Sequence, residues 1–419
     1  MVMSSQGPQI TTADGTPLKI SLQRAERAKK IRALILIAPT FLFILIAFLF
    51  PIADMLFRSI HNPEVGRLIP ETIKSLQAWD GTGLPDESVY RALAEELPQL
   101  KKNRTLGKVA LRLNYEKSGM RSLLRKTARK AAKIKAGPFK EKIIKIDKEW
   151  GNRETWAVIE RLGKPFTLTH YLSTFDLKYD VDGNVTRQPE PLQVHVTIWL
   201  RTLWVSLLVT TSCLLLGYPV SFLLSTLPLK ISNLLMICVL LPFWTSLLVR
   251  ITSWIVLLQK EGVVNDIFVW LGLVADENRI RMVYNMTGTL IAMTQILLPF
   301  MILPLYSVMK TISPSYVRAA RSLGANPFRA FRQIYLPQTI PGIGAGGILV
   351  FILAIGYYIT PALLGGSSGI LIGNFIALHM QTTLNWSLAA AMGAVLLAGV
   401  LGIYWLYNRL VGIENMKFG

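Results

Sequence analysis

The chain has 419 residues, of which 52% are hydrophobic, yet its formal net charge is +20. Repeated uncharged runs of about 20 apolar residues match a hydrocarbon layer of roughly 30 Å crossed at 1.5 Å per residue, so the composition excludes a soluble globular domain. The positive charges lie between these runs without a recognition helix or an aromatic RNA-binding signature, so we expect no nucleic-acid partner.

Six long apolar segments predict six transmembrane helices and therefore an all-α membrane protein. Several of these segments contain proline or glycine, which membrane helices tolerate better than soluble helices do. The predicted spans are Ile31–Phe57, Ile198–Leu224, Ser232–Leu258, Met286–Met309, Gln338–Leu364 and Trp386–Val411.

The distribution of Lys and Arg predicts the orientation of these spans. Residues 1–30 are polar, and they predict a cytoplasmic N-terminal tail rather than a cleavable signal peptide. Basic residues cluster on this tail, between the fourth and fifth spans, and after the last span. Because basic short loops stay in the cytoplasm, both termini, including residues 413–419, are predicted to be cytoplasmic. Arg279 and Arg281 run mildly against this assignment.

The connection between the first and second spans, residues 58–197, is then a large extracytoplasmic insertion. It is strongly basic, but long domains translocate largely regardless of charge. Residues 86–149 are predicted to be mainly helical, and residues 165–197 more extended, with a turn at residues 182–184. The basic run Arg121–Lys135 has two interpretations that stay open: a solvated helix face, or a contact for an acidic partner or for anionic lipid headgroups.

The connection between the fourth and fifth spans, residues 311–337, is basic and amphipathic and cannot lie in lipid. Its pattern predicts a helix over residues 315–331 that is capped by Ser313 or Ser315 and broken at Gly324. Small and apolar residues form a stripe along it: Ala319, Ala320, Leu323, Pro327 and Phe331. The residues alone leave two interpretations open, a docking surface for another protein or an amphipathic helix on the membrane surface.

Small and apolar residues recur in this loop at a characteristic spacing: Ala319, Ala320, Gly324, Ile334, Leu336 and Pro337. The spacing resembles the EAA loop of ABC-importer permeases, which forms a coupling helix that inserts into a cleft of the ATP-hydrolysing subunit. Arg318 stands where that family has its leading Glu, so the resemblance does not extend to a salt bridge from that Glu. It implies that residues 311–337, the coupling loop, dock on an ATP-binding partner.

Further motifs cover residues 241–250, 262–265, 356–366, 372–376 and 385–391, reading LPFWTSLLVR, GVVN, GYYITPALLGG, IGNFI and NWSLAAA. Together they resemble the first permease subunit of spermidine/putrescine-type importers. Similar permeases serve opines, other amines, phosphonates and ferric ions, so the motifs are less specific for the solute. Residues 60–190 are the main departure, because shorter relatives have only a modest loop there.

Polar and aromatic residues inside the spans are candidates for a solute path: Trp244, Arg250, Trp254, Tyr357 and Tyr358. An intramembrane Arg usually faces the bundle interior or an aqueous cavity, and for Arg250 structural pairing, solute contact and gating all stay open. A bare Arg250 repels a cationic amine, so direct contact fits an anionic or zwitterionic solute better. The aromatic residues are suited either to holding an amine by cation–π contact or to anchoring the spans at the interface.

Other chemistry-bearing patterns have structural interpretations. Residues 342–347 fit G-x-G-x-x-G, but they open an apolar span without a preceding strand and therefore predict close helix packing. The four histidines lack metal-ligand spacing, and no phosphate-cradling loop occurs. We therefore expect no catalytic, metal or cofactor site in this chain, with ATP bound by a partner subunit.

The sequence and the resemblance together predict a permease with six transmembrane helices, like those of type I ABC importers, in a bacterial inner membrane. Its five-helix core would cover residues 198–412. The implied partners are an ABC ATP-binding subunit dimer, a second homologous permease, a periplasmic substrate-binding protein and the lipid bilayer. The expected solute is a polyamine-like or related amine or opine compound. Two alternatives are a secondary transporter or channel without an ATPase, and a membrane-anchored binding or scaffold protein.

Overall fold

The computed structural model describes residues 18–134 and 136–411, and nearly all regular structure there is helical. The chain divides between Arg58 and Ser59 into two compact units, which are described in turn. In the described residues, five helices are long and apolar enough to cross a membrane, and a bent helix pair makes six if it counts as one span. The predicted all-α membrane fold is confirmed.

The first unit is built on one long apolar helix. Helix α1, Leu18–Ile44, continues through a π-helical turn, Leu45–Leu49, into α2, Phe50–Ile60. Its candidate span, Ala25–Ile60, leaves its apolar residues exposed. A helix satisfies its backbone hydrogen bonds internally, so such a segment can face lipid on all sides. The helix starts well before Ile31 and includes part of the predicted tail.

The second unit begins with a helical domain between Asn62 and Pro165, which we term the insertion domain. Its helices are α3 Glu64–Leu68, α4 Pro70–Leu76, α5 Glu87–Lys102, α6 Leu106–Glu116, α7 Met120–Ala131, α8 Phe139–Ile146 and α9 Arg153–Gly163. Apolar residues recur at helical spacing, so that in α5 Val89, Leu93 and Leu97 are all buried. The prediction of helix over residues 86–149 is confirmed.

The insertion domain has a hydrophobic core of its own. Trp150 and Trp156 are fully buried with ring centroids 5.1 Å apart, and the Tyr90 ring lies 4.7 Å from Trp156. The Tyr90 hydroxyl and the Trp156 Nε1 both donate to the Trp150 carbonyl, at 2.9 and 3.0 Å. The Trp150 Nε1 donates to Thr127 Oγ1 at 2.8 Å. The large aromatic groups are thus buried with their polar ends satisfied, as in a soluble domain.

The two ends of the insertion domain meet. The Asn62 N–H donates to the Pro165 carbonyl at 2.8 Å, and the Thr167 N–H donates to the Ile60 carbonyl at 2.8 Å. The Asn62 side chain also donates to the Leu162 carbonyl at 2.7 Å. The chain leaves and returns at one point, which is typical of a domain inserted into a loop.

Residues between the insertion domain and the second span pack on the spans instead. Helix α10, Thr169–Thr174, contacts the last span, and the Trp199 Nε1 donates to the Thr174 carbonyl at 3.1 Å. An antiparallel hairpin of β1, Leu177–Tyr179, and β2, Val185–Arg187, follows. The extended segment predicted for residues 165–197 is therefore partly wrong, because its first part is helical, whereas the turn at residues 182–184 is confirmed.

Asp176 fixes the start of the second span. Its carboxylate accepts the backbone N–H groups of Val194, His195 and Val196 at 2.8–3.2 Å, and the His195 Nδ1 lies 2.8 Å away. The first N–H groups of a helix have no partner within the helix, so a carboxylate there satisfies them and complements the helix dipole.

The spans form the rest of the second unit. The long helices are α11 His195–Thr226, α15 Met286–Thr311, α18 Leu336–Ile355 and α21 Trp386–Val411. Helices α11, α15 and α18 pack together, and α15 is the most buried of the candidate spans. A Cβ at Gly346 of α18 would lie 2.8 Å from the Met301 Sδ of α15. The close packing predicted for residues 342–347 is thus confirmed at Gly346.

The predicted third and fifth spans are both interrupted. Residues 229–270 form α12 Leu229–Leu240, a 3-10 turn Leu241–Trp244, α13 Leu247–Leu258 and α14 Val263–Trp270, with a bend of 96°. Pro242 lies in the break, where its ring removes a backbone donor. The fifth span ends at Ile355 rather than at the predicted Leu364, and Gly356 is the residue that caps its C-terminus. The following helices are α19 Ile359–Leu364 and α20 Ile372–Gln381.

Candidate coupling surface and solute path

The coupling loop contains two short helices, α16 Pro314–Ser322 and α17 Pro327–Ala330. The Ser313 side chain caps α16 by accepting the Ser315 N–H, and Pro314 occupies the first turn, where no donor is needed. The Asn326 Oδ1 caps α17 by accepting the Arg329 N–H at 2.7 Å. The cap at Ser313 and the second helical start are as the sequence predicts.

Gly324 makes the break between these helices. Its φ is +88°, a left-handed conformation that glycine adopts without the strain that a Cβ adds. The Ala325 N–H donates to the Ala320 carbonyl at 3.1 Å, and the Gly324 N–H donates to the Arg321 carbonyl at 3.0 Å. These bonds satisfy the last carbonyls of α16 and turn the chain sharply into α17.

The loop presents apolar side chains to its surroundings. Leu323, Phe328 and Tyr316 are 89%, 71% and 55% exposed. Arg318 and Ala319 are exposed too, and Ala320 is half-buried. Large apolar groups are rarely left together on a free surface, so this face has the character of a binding surface. The sequence-based stripe contained Leu323 but not Tyr316, which lies in α16, or Phe328, which follows the sharp turn.

The opposite side of the loop is anchored in the spans by aromatic rings. Phe331 and Tyr335 stack at 5.8 Å in a π-helical segment, Phe331–Tyr335. Tyr335 lies 5.3 Å from Phe222, and Phe331 lies 6.1 Å from Tyr218. Both of these partners belong to α11. Phe331 was predicted in the apolar stripe, but the structure turns it inward.

A cleft of about 1140 Å³ lies between the loop and the spans. Arg318, Arg321, Val317 and Phe222 are among its lining residues. Of the remaining motif residues, Ile334 is 36% exposed, Pro337 is exposed and Leu336 is half-buried at the start of α18. The aromatic anchor of the loop is therefore packed directly against α11 and lies next to α18.

Three of the residues predicted for the solute path share one part of the bundle. Trp254 and Tyr357 both pack against the buried cluster that includes Ile251. The Trp254 Nε1 donates to Gln295 Oε1 at 3.2 Å. Arg250, one helical turn before Trp254, is close enough to Tyr357 to interact with it electrostatically.

The Arg250 guanidinium has no counter-ion among the described residues. Its Nε and Nη1 are buried without a hydrogen-bond partner there. All acidic residues between positions 195 and 411 fall within the segment 261–277. Leaving a buried charge unpaired is costly, so this environment favours an anionic group from outside the chain.

The other two predicted path residues lie elsewhere. Trp244 is 79% exposed at the end of its 3-10 turn. Tyr358 is 42% exposed, and its carbonyl accepts the Asn374 Nδ2 at 2.9 Å, which ties it to α20. Gln295, a weaker candidate for the path, joins the group through its hydrogen bond to Trp254.

The acidic segment beside the bent pair is internally paired. Arg279 bonds Asp266 and Asp276, each at 2.7 Å. The hydrogen bonds that Arg279 donates to Asp276 and to Asp266 raise the pKa of Arg279 above its ordinary value. Arg279 therefore neutralises two carboxylates of this segment.

Comparison with known proteins defines the family. Residues 214–412 match the model of the binding-protein-dependent transport system inner membrane component. The spermidine/putrescine transport system permease protein PotB of Salmonella typhimurium strain LT2 is 35% identical over 253 residues, covering 60% of this chain and 86% of PotB. The chain belongs to this family of inner-membrane permease components. PotB of Escherichia coli K12 is 34% identical over 90% of its length.

This family membership makes the chain a multi-pass inner-membrane permease component of an ABC importer, and its relatives are transport components rather than enzymes. The Escherichia coli inner membrane ABC transporter permease protein YdcU is 32% identical over 227 residues, covering 51% of this chain and 71% of YdcU. A crystal structure of a bacterial alginate ABC transporter aligns with 52% of this chain and 78% of that chain, at 18% identity and a TM-score of 0.42. The family match begins inside α11, so the insertion domain lies outside the matched residues.

Proposed function

We propose that this permease imports a small amine-containing solute, with the coupling loop docked on an ATP-binding subunit dimer. A second, similar permease would complete the pathway, and a periplasmic binding protein would deliver the solute. Polyamine-type substrates are suggested by the PotB relatives, which are named as spermidine/putrescine permeases. No phosphate-cradling motif occurs in this sequence, so ATP would be bound by the partner.

The observation that carries the docking role is the two-sided form of the coupling loop. Leu323 and Phe328 are exposed on one side, while Phe331 and Tyr335 are locked to the spans on the other. Closure of an ATPase dimer would push the exposed side, and the aromatic anchor would transfer the motion to α11 and α18. Packed helices change between discrete arrangements, which suits alternation between inward-open and outward-open states.

The proposed solute path uses Arg250, Trp254 and Tyr357. The aromatic rings would hold the amine by cation–π contact. The unpaired guanidinium of Arg250 specifically favours a solute that also carries a carboxylate, such as an opine or an amino acid, over a pure polyamine.

A solute screen on the purified complex distinguishes a polyamine from an amine that also carries a carboxylate. Polyamines, opines and amino acids would each be tested with the binding protein for stimulation of ATP hydrolysis. Stimulation by a zwitterionic amine that Arg250→Gln abolishes would support a solute with a carboxylate. Stimulation by spermidine or putrescine that survives in Arg250→Gln would support a polyamine. Hydrolysis-independent uptake by the permease alone would overturn the proposal and favour a secondary transporter.

We further propose that both termini and the coupling loop face the cytoplasm, with the insertion domain outside. Arg318, Arg321, Arg329 and Arg332 give the loop the positive charge expected there. Single cysteines at Ser122 and Ser322, introduced after replacement of Cys213 and Cys238, would be labelled with a membrane-impermeant thiol reagent in intact cells. Labelling at Ser122 alone is expected, and labelling at Ser322 alone would reverse the orientation.

The scaffold alternative predicts that the insertion domain is essential. Because Asn62 and Pro165 meet, residues 63–164 can be replaced by two glycines without stretching the chain. Retained uptake in this variant would reject the scaffold alternative. Lost uptake, with the variant still assembled in the membrane with its partners, would support it.

A further inference from the structure

The strongest unassigned surface of the molecule is a basic face on the insertion domain. Residues 101–148 contain 17 Lys or Arg and three Asp or Glu. Helix α7 concentrates this charge, because its apolar side, including Leu124 and Ala128, is buried in the core of the domain. Arg121, Arg125 and Arg129 recur every fourth residue on the other side, and all three are exposed.

These three arginines, the basic face, are free of carboxylates. None of them forms a salt bridge with an acidic residue in the part of the chain that the structure describes, whereas the neighbouring Lys126 pairs with Asp147 at 2.7 Å. The face borders an open depression of about 790 Å³, lined also by Asn114 and Ser122. Three unpaired guanidinium groups on one helix form a surface for an anion that accepts several hydrogen bonds.

The position of α7 identifies the source of that anion. The Tyr115 hydroxyl, at the end of α6, donates to the Thr383 carbonyl at 2.8 Å. Thr383 lies three residues before Trp386, which starts the last span. Asn114, next to Tyr115, accepts the backbone N–H of Arg121 at 3.2 Å. The first arginine of the basic face is therefore linked, through these two contacts, to the segment just before the last span begins.

Electrostatics and exposure agree with this placement. Burial raises the pKa of Tyr115, and the nearby charges of Arg112 and Arg121 oppose that rise. Trp386 and Leu384, beside Thr383, are 50% and 57% exposed. Exposed Trp at the end of a span is typical of the headgroup layer, and surface charges act over a Debye length of about 8 Å.

We propose that the basic face of Arg121, Arg125 and Arg129 binds the phosphate of anionic phospholipid headgroups beside the last span. This interaction holds the insertion domain against the bilayer, and it goes beyond the proposed transport function. It applies to whichever leaflet the domain faces. An acidic protein partner is the competing occupant, and the position of Arg121 beside the end of a span favours the lipid.

The test uses the assembled transport complex in nanodiscs that contain phosphatidylcholine and phosphatidylglycerol in a 7:3 ratio. Native mass spectrometry measures the phosphatidylglycerol that stays bound as detergent removes the remaining lipid. The R121Q/R125Q/R129Q variant is expected to retain about tenfold less, since each arginine attracts the anionic headgroups and salt screens part of that attraction. An R121K/R125K/R129K variant is expected to retain most of it.

The matched control is K101Q/K102Q/K108Q, which removes the same charge from the same basic segment. All three lysines are exposed. Lys101 and Lys102 end α5, and Lys108 lies in the first turn of α6, at the opposite end of that helix from Tyr115. Equal loss of lipid in the control and in the arginine variant would overturn the proposal, as would unchanged retention in the arginine variant. In nanodiscs of phosphatidylcholine alone, an arginine variant that loses stimulation by the binding protein would instead assign the face to a protein partner.

Discussion

Trp156, in the insertion domain, is fully buried, whereas Trp270, at the end of the bent helix pair, is 83% exposed. The insertion domain and the spans differ in the same way in the burial of their apolar side chains. The insertion domain turns its apolar side chains into its own core, while the spans leave residues such as Leu200, Trp204 and Leu248 uncovered. A domain that buries its own apolar surface can stand in water, and helices that do not must be covered by lipid or by another chain.

The difference also separates the two kinds of contact that the chain makes. The insertion domain meets the segment just before the last span through a polar contact, from the Tyr115 hydroxyl to the Thr383 carbonyl. The coupling loop meets α11 and α18 through stacked aromatic rings, Phe331 and Tyr335 among them. A polar contact of the first kind is suited to attaching a domain, and packed contacts of the second kind are suited to the displacement that we propose for the coupling loop. The insertion domain therefore has the character of an attachment and the coupling loop that of a lever.

The largest expected effect tests whether the insertion domain depends on its own core. Trp156→Ala removes a fully buried indole that contacts Trp150 and Tyr90. We expect a loss of about 3–5 kcal/mol in the stability of the domain, as for other buried aromatic residues. Limited proteolysis of residues 62–165 in the membrane-embedded chain measures it. Trp270→Ala is the control, and equal protease sensitivity of both variants would contradict a self-contained core.

Acidification should destabilise α10, which lies between the insertion domain and the second span. His170 of α10 is 5% exposed, and burial, aided by the Arg112 charge, lowers its pKa to about 3. An unfolded His titrates near 6.5, so the unfolded state gains a proton first as the pH falls. This contribution to stability is complete above about pH 6.5 and is lost between about 6.5 and 3. Between pH 7 and 5 the loss is about 2 kcal/mol.

The measurement is thermal unfolding of the purified chain at pH 7 and pH 5. His170→Gln cannot take up the proton, so its unfolding temperature should change less over this interval. If the wild-type chain and His170→Gln lose the same stability, the acid response arises from other groups.

A substitution at Gly324 tests whether the coupling loop links ATP hydrolysis to transport. Gly324→Val places a β-branched residue at a φ of +88°, which costs about 1–2 kcal/mol and disfavours the turn between α16 and α17. ATP hydrolysis by the complex should become uncoupled from uptake, while membrane insertion is unchanged. Uptake per ATP hydrolysed in proteoliposomes measures this. Asn tolerates the left-handed conformation, so Gly324→Asn is expected to stay coupled, and unchanged transport in Gly324→Val would count against the docking role.

Local chemistry explains what the sequence predicts correctly. The cap at Ser313 and the break at Gly324 depend on residues adjacent in the chain, so they are readable without tertiary information. The helices of residues 86–149 follow from their apolar periodicity. The same reasoning gives the long apolar spans, because twenty apolar residues have few other stable environments.

Long-range contacts explain the features that the sequence did not predict. The meeting of Asn62 with Pro165 joins residues about a hundred positions apart, and no local pattern marks it. Phe331 fits an exposed stripe by spacing, yet the π-helical turn after it redirects the ring toward α11. For the solute path, Trp244 and Tyr358 satisfy the same compositional rule as Trp254. The bend in the third span separates Trp244 from Trp254, and Tyr358 lies beyond the end of α18 at Ile355.

The smallest expected effect concerns the attachment itself. Tyr115→Phe removes one hydrogen bond, to the Thr383 carbonyl, and keeps the ring. A bond of this kind contributes about 0.5–1.5 kcal/mol, so the domain should stay folded but sit less firmly beside the last span. Hydrogen exchange should rise at residues 382–385 and at the end of α6, with the core around Trp156 unchanged. Tyr316→Phe, in the exposed coupling loop, is the control. If Tyr115→Phe also raises exchange in the core of the insertion domain, the contact supports folding as well as attachment, and the division between a self-contained domain and its anchor does not hold.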